Sequence, residues 1–517
     1  MRLSEGKQTR YGAGAGTNGS YLLLHDCTLL APQEHSGLLP HQDILIAGSR
    51  IQVFGPIGTI TPDPTWQGTI LEGQGRLALP GLINAHTHSP ENVLKATSPS
   101  LPLELWLIPL FAGIVEWTPR LAYLSALLGA VEMLKTGTTA VLDHLWTVEG
   151  VASTYLDAVM QAYGEVGIRA SVAPHIEDRD LVLEAGAKRG LIFPHHPFID
   201  RFALWPPITS QLAALEQFIA TWHHTADGRL RCLVGPSGIH WCSPALLSAC
   251  VTLAERYKTG LHLHAVETEL QATMVHETLG QGGIAFLDSV GVLKQGTSLA
   301  HAIWLESGDL ERLAQTGTTV VHNPVSNLRL GSGIFPFIEA QRLGVTIALG
   351  SDGAASNDTQ SMFGVIKQVG LIHNHPDADY HTWPSAGEIL AAATQGGATA
   401  LGMEAQLGRI APGYLADIIL LDLEAHPFFP LRDPTLHLVY CEDGKSVESV
   451  IVNGKVVVDH RILTTLDEKA VRDELRERCA TAWPGFPESL ASVANTQEVL
   501  STFDTLRRLL LKKESGL

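Results

Sequence analysis

Two histidines one residue apart, His86 and His88, end an apolar run that starts from a proline–glycine turn at Pro80-Gly81. On an extended strand such residues face the same side, so both imidazoles can converge on one cation. Neutral imidazole is a common ligand of zinc and iron. The pair alone is weak evidence, and further ligands must come from elsewhere. Residues of the same kinds follow other short apolar or β-branched runs: Asp143-His144, His175, Ser237 with His240, His262 and His264, His301, His322 and Asp352. His264 can complete a site with His86 and His88. Asp352 offers an anionic oxygen able to bind the metal and to accept a proton from water. Such a set leaves a position open for water, whose pKa the metal brings near neutrality. Glu267, three residues after His264, is placed to move a proton onto the substrate. His301 can orient the attacking water or stabilise a developing oxyanion.

Each residue also has a blander reading. His262 alternates with His264 and can be packing, or support for a ligand. His144 and His175 read as satisfied polar groups or pocket lining, and His322 beside Asn323-Pro324 can fix its loop or line the pocket. Asp352 alone would be an ordinary turn aspartate. Convergence at consecutive strand ends argues against chance. His276-Glu277 lacks a histidine four residues after His276, so a zincin helix is not supported.

The elements that must position these groups alternate between short buried strands and helix-period segments from 81 to 403. Runs at 138–142, 168–173, 230–234, 260–263, 297–300, 318–321 and 345–349, with the one before His86, make eight strands. That alternation predicts an α/β fold, a TIM-like (β/α)₈ barrel with its site at the C-terminal strand ends. Residues 21–80 and 404–465 read as short strands, including a hairpin at Asn453-Gly454, and are expected to form one small β-sandwich. Residues 1–20 read as a flexible tail and 466–517 as a helical one, an edge or subunit contact. The apolar stretch 101–117 reads as a loop or helix over a pocket, or as plain core.

Of 517 residues, 45% are hydrophobic and 17% charged, as expected of a soluble globular chain. Against 53 acidic residues stand 35 basic ones, a net charge of −18, which disfavours nucleic-acid and anionic-membrane partners. Six scattered cysteines without a C-x-x-C pair, and no signal peptide, fit a reduced cytoplasmic protein. No stretch is long and uninterrupted enough to span a bilayer. The expected partner is a small molecule, and the expected assembly a homo-oligomer, dimer or tetramer.

The motifs His86-Thr87-His88, His264 to Glu267, Ala300-His301, His322 to Gly333 and Leu349 to Asn357 resemble those of the amidohydrolase superfamily. Within it, the chain is similar to the branch of S-adenosylhomocysteine/methylthioadenosine deaminases and triazine hydrolases, over about residues 21–465. The resemblance implies one Zn²⁺, or Fe²⁺, held by His86, His88, His264 and Asp352. Glu267 and His301 are then the proton shuttle and the water-orienting residue. Dinuclear members carry a carboxylated lysine at the fourth strand, and 230–243 contains no lysine, so one metal is expected. Substrate residues transfer less directly. Trp106, His175 and His240 are expected to touch substrate. The glutamate that follows such a tryptophan falls at Val115, beside Glu116, so either Glu116 slides into the role or the nucleoside site is gone. The segment between His175 and Pro207, with His195, His196, Phe193, Phe198, Phe202 and Trp205, departs from the family and can shape a different pocket.

The implied reaction is deamination of a nitrogen heterocycle: hydroxide attacks the carbon bearing the amino group, Glu267 protonates the ring nitrogen, and ammonia leaves. The alternative keeps the machinery but expels chloride or an alkylamine from a triazine, or opens a cyclic amide or ureido ring. A non-catalytic barrel would have lost a ligand or Glu267, and none is missing.

Overall fold

The computed structural model describes residues 9–11, 20–30, 37–98, 100–112, 117–147, 150–151, 153–200, 205–376, 379–483, 493 and 495–511. Two parallel sheets form its centre. One orders Leu82–Thr87, Thr138–Leu145, Arg169–Ile176 and Leu230–Cys232 side by side, and Gly235–Pro236 continues along Arg169–Ile176. The other orders Leu261–Ala265, Thr297–His301, Thr319–His322 and Thr346–Leu349. Parallel bridges from Val234 to Leu261 and from Gly238 to His264 join the sheets on one side. On the other side the Asp352 N–H donates to the His86 carbonyl at 2.9 Å. Every expected strand is present, and most run one to three residues further toward the polar end.

These strands are buried on both faces, as parallel strands covered by helices must be. Ile83, Ala140, Leu142, Val321 and Ala348 face inward into a cluster closed by Ala398, Leu401 and Met403. Their outward neighbours join the larger core with the helices, among them Pro119–Lys135 and Ser153–Val166. Helix Pro119–Lys135 starts where the Thr118 side chain accepts from the Leu121 N–H, an N-cap. Proline follows at the first helical position, where its missing N–H costs nothing.

N- and C-terminal strands share one mixed sheet, running from Ile462–Leu463 through Lys455–Asp459, Val447–Val452, Ile418–Asp422, Arg76–Pro80 and Ser20–Leu30 to Leu38–Ala47 and Arg50–Pro56. The hairpin at Asn453-Gly454 has both turn residues at positive φ, 53° and 76°, as a two-residue turn of this hand requires. The sheet is tied to the central strands by Arg169, whose guanidinium makes two bonds of 2.8 and 2.9 Å to Asp417 and one of 2.9 Å to Asn453. Among the residues expected as an N-terminal tail, Thr9–Tyr11 instead pairs in parallel with Ile60–Pro62; 1–8 and 12–19 lie outside the described residues. The C-terminal segment is helical as expected, at Glu468–Ala482 and Thr496–Leu511. No described helix is long and apolar enough to cross a membrane.

Candidate metal centre and pocket

Strand alternation sends His86 and His88 to one side of their strand, and His262 and His264 likewise from theirs. Ligand-capable atoms of His86, His88 and Asp352 lie within 4.8 Å of one another. His86 Nε2 and His88 Nε2 are each 3.3 Å from Asp352 Oδ1, and His264 Nε2 is 3.3 Å from His88 Nε2. The other nitrogens of these rings are already engaged. His88 Nδ1 donates to the His144 carbonyl at 2.6 Å and His264 Nδ1 to the Ser237 carbonyl at 2.7 Å, so both Nε2 atoms keep their lone pairs. His86 Nδ1 meets His262 Nε2 at 2.8 Å, and His262 Nδ1 meets Ser298 Oγ at 2.7 Å. With His262 donating to Ser298, His86 Nδ1 must be the donor to His262, and His86 Nε2 is again a free acceptor. That atom is buried without a hydrogen-bond partner among the described residues. A buried acceptor of this kind is costly unless something binds it, and a divalent cation fits the donor set.

Electrostatics agree. Burial pulls His86 down to about 4 and His264 well below the usual histidine range, with neighbouring histidines adding to the effect at His264. Burial opposes ionisation of Asp352, but the imidazoles of His86, His301 and His88 around it outweigh that and hold the carboxylate well below its usual range. His86 and His264 are therefore held as neutral imidazoles beside one anion. Backbone strain concentrates here too: Val266, His301, Ala302 and Asp352 have φ of 39°, 72°, 47° and 64°, a region non-glycine residues rarely enter.

Glu267 Oε2 lies 3.6 Å from His301 Nε2, which is 3.9 Å from Asp352 Oδ2. Asn327 Oδ1 accepts from His301 Nδ1 at 2.8 Å, and Ser332 Oγ donates to Glu267 Oε1 at 3.2 Å. Burial, then repulsion from Asp352 and Glu104, push the Glu267 carboxyl well above its usual range, which favours the protonated acid.

These groups open into a narrow cavity of ≈ 60 Å³ that Trp106, His175, His240, His264, Glu267 and Asp352 help to line. The apolar stretch forms helix Leu103–Ala112, and its Leu103, Leu107, Leu110 and Phe111 make one wall. Glu116 lies outside the described residues, as does Phe202. His322 does not reach the cavity; it packs on Phe335 and Phe337, 3.1 Å from His373. His144 corrects an expectation. It neither lines the cavity nor finds a hydrogen-bond partner for either ring nitrogen among the described residues; its ring is stacked 4.9 Å from His264 and tilted against His175 at 3.8 Å between centroids, and a nitrogen of it lies within 4.8 Å of ligand-capable atoms of His86 and His264. Sequence reasoning missed Glu91, three residues after His88, which lines the cavity with Trp146. Burial raises its carboxyl to about 7. A carboxylate so close behind the histidine pair was the available signal.

Residues 77–457 match the Amidohydrolase family. The chain is 32% identical to a 5-methylthioadenosine/S-adenosylhomocysteine deaminase of Pelotomaculum thermopropionicum, over 88% of this chain and 98% of the relative. It is also 32% identical to a 5'-deoxyadenosine deaminase of Methanothermobacter thermautotrophicus, over 87% and 96%. Among solved structures it resembles an adenosine deaminase from Xanthomonas campestris with bound zinc, at 26% identity and TM-score 0.77 over 89% of this chain and 98% of that one. It resembles the zinc complex of atrazine chlorohydrolase from Arthrobacter aurescens at 26% and 0.79, over 89% and 100%. The chain thus belongs to the amidohydrolase family, as a metal-dependent hydrolase of carbon–nitrogen bonds.

Proposed function

We propose that the enzyme deaminates an amino-substituted nitrogen heterocycle of the adenine-nucleoside kind, using one zinc ion held by His86, His88, His264 and Asp352. The observation that carries this reading is the meeting of the Nε2 atoms of His86, His88 and His264 with the Asp352 carboxylate, beside a carboxyl, Glu267, that burial favours in its acid form, at one cavity. The names of the two curated relatives support the leaving group and the purine class. Zinc in two structural neighbours supports the metal. Two parallel sheets joined along both sides support a closed (β/α)₈ barrel over 81–403, beside a sandwich of 21–80 with 404–465 and a helical segment from 466.

When bound, the cation supplies Lewis acidity and lowers the pKa of water. The chain's own groups do the rest. Asp352, an anion, accepts the proton of the attacking water. His301, fixed by Asn327, orients that water from its Nε2 side. Glu267 gives its proton to the ring nitrogen next to the attacked carbon, so that negative charge does not accumulate on the ring; ammonia departs with the proton Asp352 has taken up, and the hydroxyl proton released as the carbonyl forms returns to Glu267. Trp106 and the helix around it cover the ring, with His175 and His240 at the polar edge.

The test is ammonia release from adenine nucleosides by enzyme of known metal content. One zinc per chain and stoichiometric ammonia are expected. Two metals per chain would overturn the mononuclear site. Chloride, alkylamine or a ring-opened product in place of ammonia would overturn deamination.

A further inference from the structure

Glu91 is 3% exposed and belongs to the cavity wall, yet the mechanism above gives it no task. Its Oε1 accepts from Trp146 Nε1 at a long 3.4 Å. Its Oε2 is buried with no hydrogen-bond partner among the described residues. A second observation comes from across the cavity. Gly353 follows Asp352 directly, and a Cβ there would fall 1.8 Å from Glu91 Oε2 and 2.2 Å from its carboxyl carbon. The Gly353 backbone, at φ −66° and ψ 148°, is a conformation any residue adopts. A side chain there would have to displace the Glu91 carboxyl, which fills the room that glycine leaves. The pair holds an acceptor-rich side chain against the turn that carries Asp352, on the wall of the space where the reacting ring must lie.

Among the described residues around the cavity there is no lysine or arginine; the other carboxyl groups are Glu267 and Asp352, and Trp106, Leu107, Leu110, Phe111 and Leu330 supply apolar faces. A cavity of ≈ 60 Å³ holds a handful of waters at roughly 10–15 Å³ each, which suits one planar ring system. A buried acceptor without a donor discriminates strongly, because a ligand lacking the matching N–H leaves it unpaired.

Building on the deaminase reading, we infer that Glu91 is the specificity-determining acceptor of this pocket. It selects a compact heterocycle that presents an amino or ring N–H donor to Glu91 and rejects one that brings a carboxylate. A substrate with an amino-acid tail, such as the S-adenosylhomocysteine in the name of one relative, meets no described cation in this lining.

Calorimetry on the zinc-loaded full-length enzyme tests this with adenine, 2,6-diaminopurine and adenin-9-ylacetic acid, in wild type, Glu91→Gln and Glu91→Met. Wild type is expected to prefer 2,6-diaminopurine over the carboxylate by about ten-fold or more, the scale of one charged hydrogen bond. Both variants should lose most of that preference while keeping one zinc per chain and the wild-type melting temperature. Equal discrimination in all three proteins, binding of none of the three probes, or loss of zinc from Glu91→Gln would each overturn the inference. Ammonia measured in parallel separates the two claims. Glu91-dependent discrimination without ammonia removes the deaminase reading alone, whereas ammonia without Glu91-dependent discrimination removes this inference alone.

Discussion

Phe503 lies in the C-terminal helix, Thr496–Leu511, beyond the family match. Its ring lies tilted against Phe193 at 4.9 Å and Phe198 at 5.7 Å; Phe198 meets Phe111 at 5.4 Å and Phe111 meets Trp146 at 5.6 Å. The last two line the cavity, so aromatic contacts run from the C-terminal helix to the active-site wall. Phe503→Ala should remove about 3–5 kcal/mol at a buried site. Three other buried anchors remain, Val499, Leu506 and Leu510, each contributing roughly 1.5–3 kcal/mol. The loss is thus about two-fifths of the docking energy, and a 16-residue helix is marginal once undocked. The helix should open locally while the central strands stay folded. At about 1.4 kcal/mol per factor of ten, amide protection across 496–511 should fall roughly a hundred- to several-thousand-fold. Hydrogen exchange read by mass spectrometry measures this directly, with Leu261–Ala265 as the internal reference. KM should rise several-fold at unchanged zinc content, and Phe503→Leu should restore most of it. Equal loss of protection in both segments, or unchanged protection in 496–511, would refute the reasoning.

Glu267→Gln should keep its zinc and lose about 10²–10⁴-fold in kcat; steady-state kinetics with metal analysis checks this, and near-wild-type turnover removes the proton-donor role. His262→Ala breaks the chain from Ser298 through His262 to His86 and should weaken zinc binding about 10–100-fold in chelator competition, with an unchanged affinity as the contrary result. Asp417→Ala strands Arg169, itself 1% exposed, and should cost about 3–5 kcal/mol in denaturant unfolding. A double variant with apolar residues at both positions should recover much of that.

The strands were legible because burial on both faces leaves uninterrupted apolar runs, and the ligands because polar groups at the ends of such runs are conspicuous. What joins elements distant in the chain left no local trace. His262 could be packing or support until its partners were known, and these come from the first and sixth parallel strands. Arg169 looks like any strand arginine, and only the fold brings it to Asp417 and Asn453. Gly353 passes for turn chemistry, whereas its ordinary φ and the Glu91 carboxyl beside it show that space is the reason. The aromatic segment around Phe193 and Phe198 was visible as a departure from the family, but its cover, the C-terminal helix, read only as part of a helical tail at an edge or subunit contact.

Burial gives the metal centre both its stability problem and its readiness. An imidazole in water near neutral pH is partly protonated and must lose that proton before it can bind a cation. Here burial holds His86 near 4 and His264 well below its usual range, so their lone pairs are available without proton release. The same low-dielectric surroundings favour the protonated form of Glu267. Asp352 alone stays ionised, because His86, His88 and His301 surround it. One environment therefore sorts two carboxyl groups into opposite states: the anion lies among the ligands, and the acid lies 3.6 Å from His301. Replacing an imidazole partner of Asp352 by an apolar side chain would remove a ligand and also the interaction that keeps the aspartate ionised, so the ligand set should fail as a unit rather than one bond at a time.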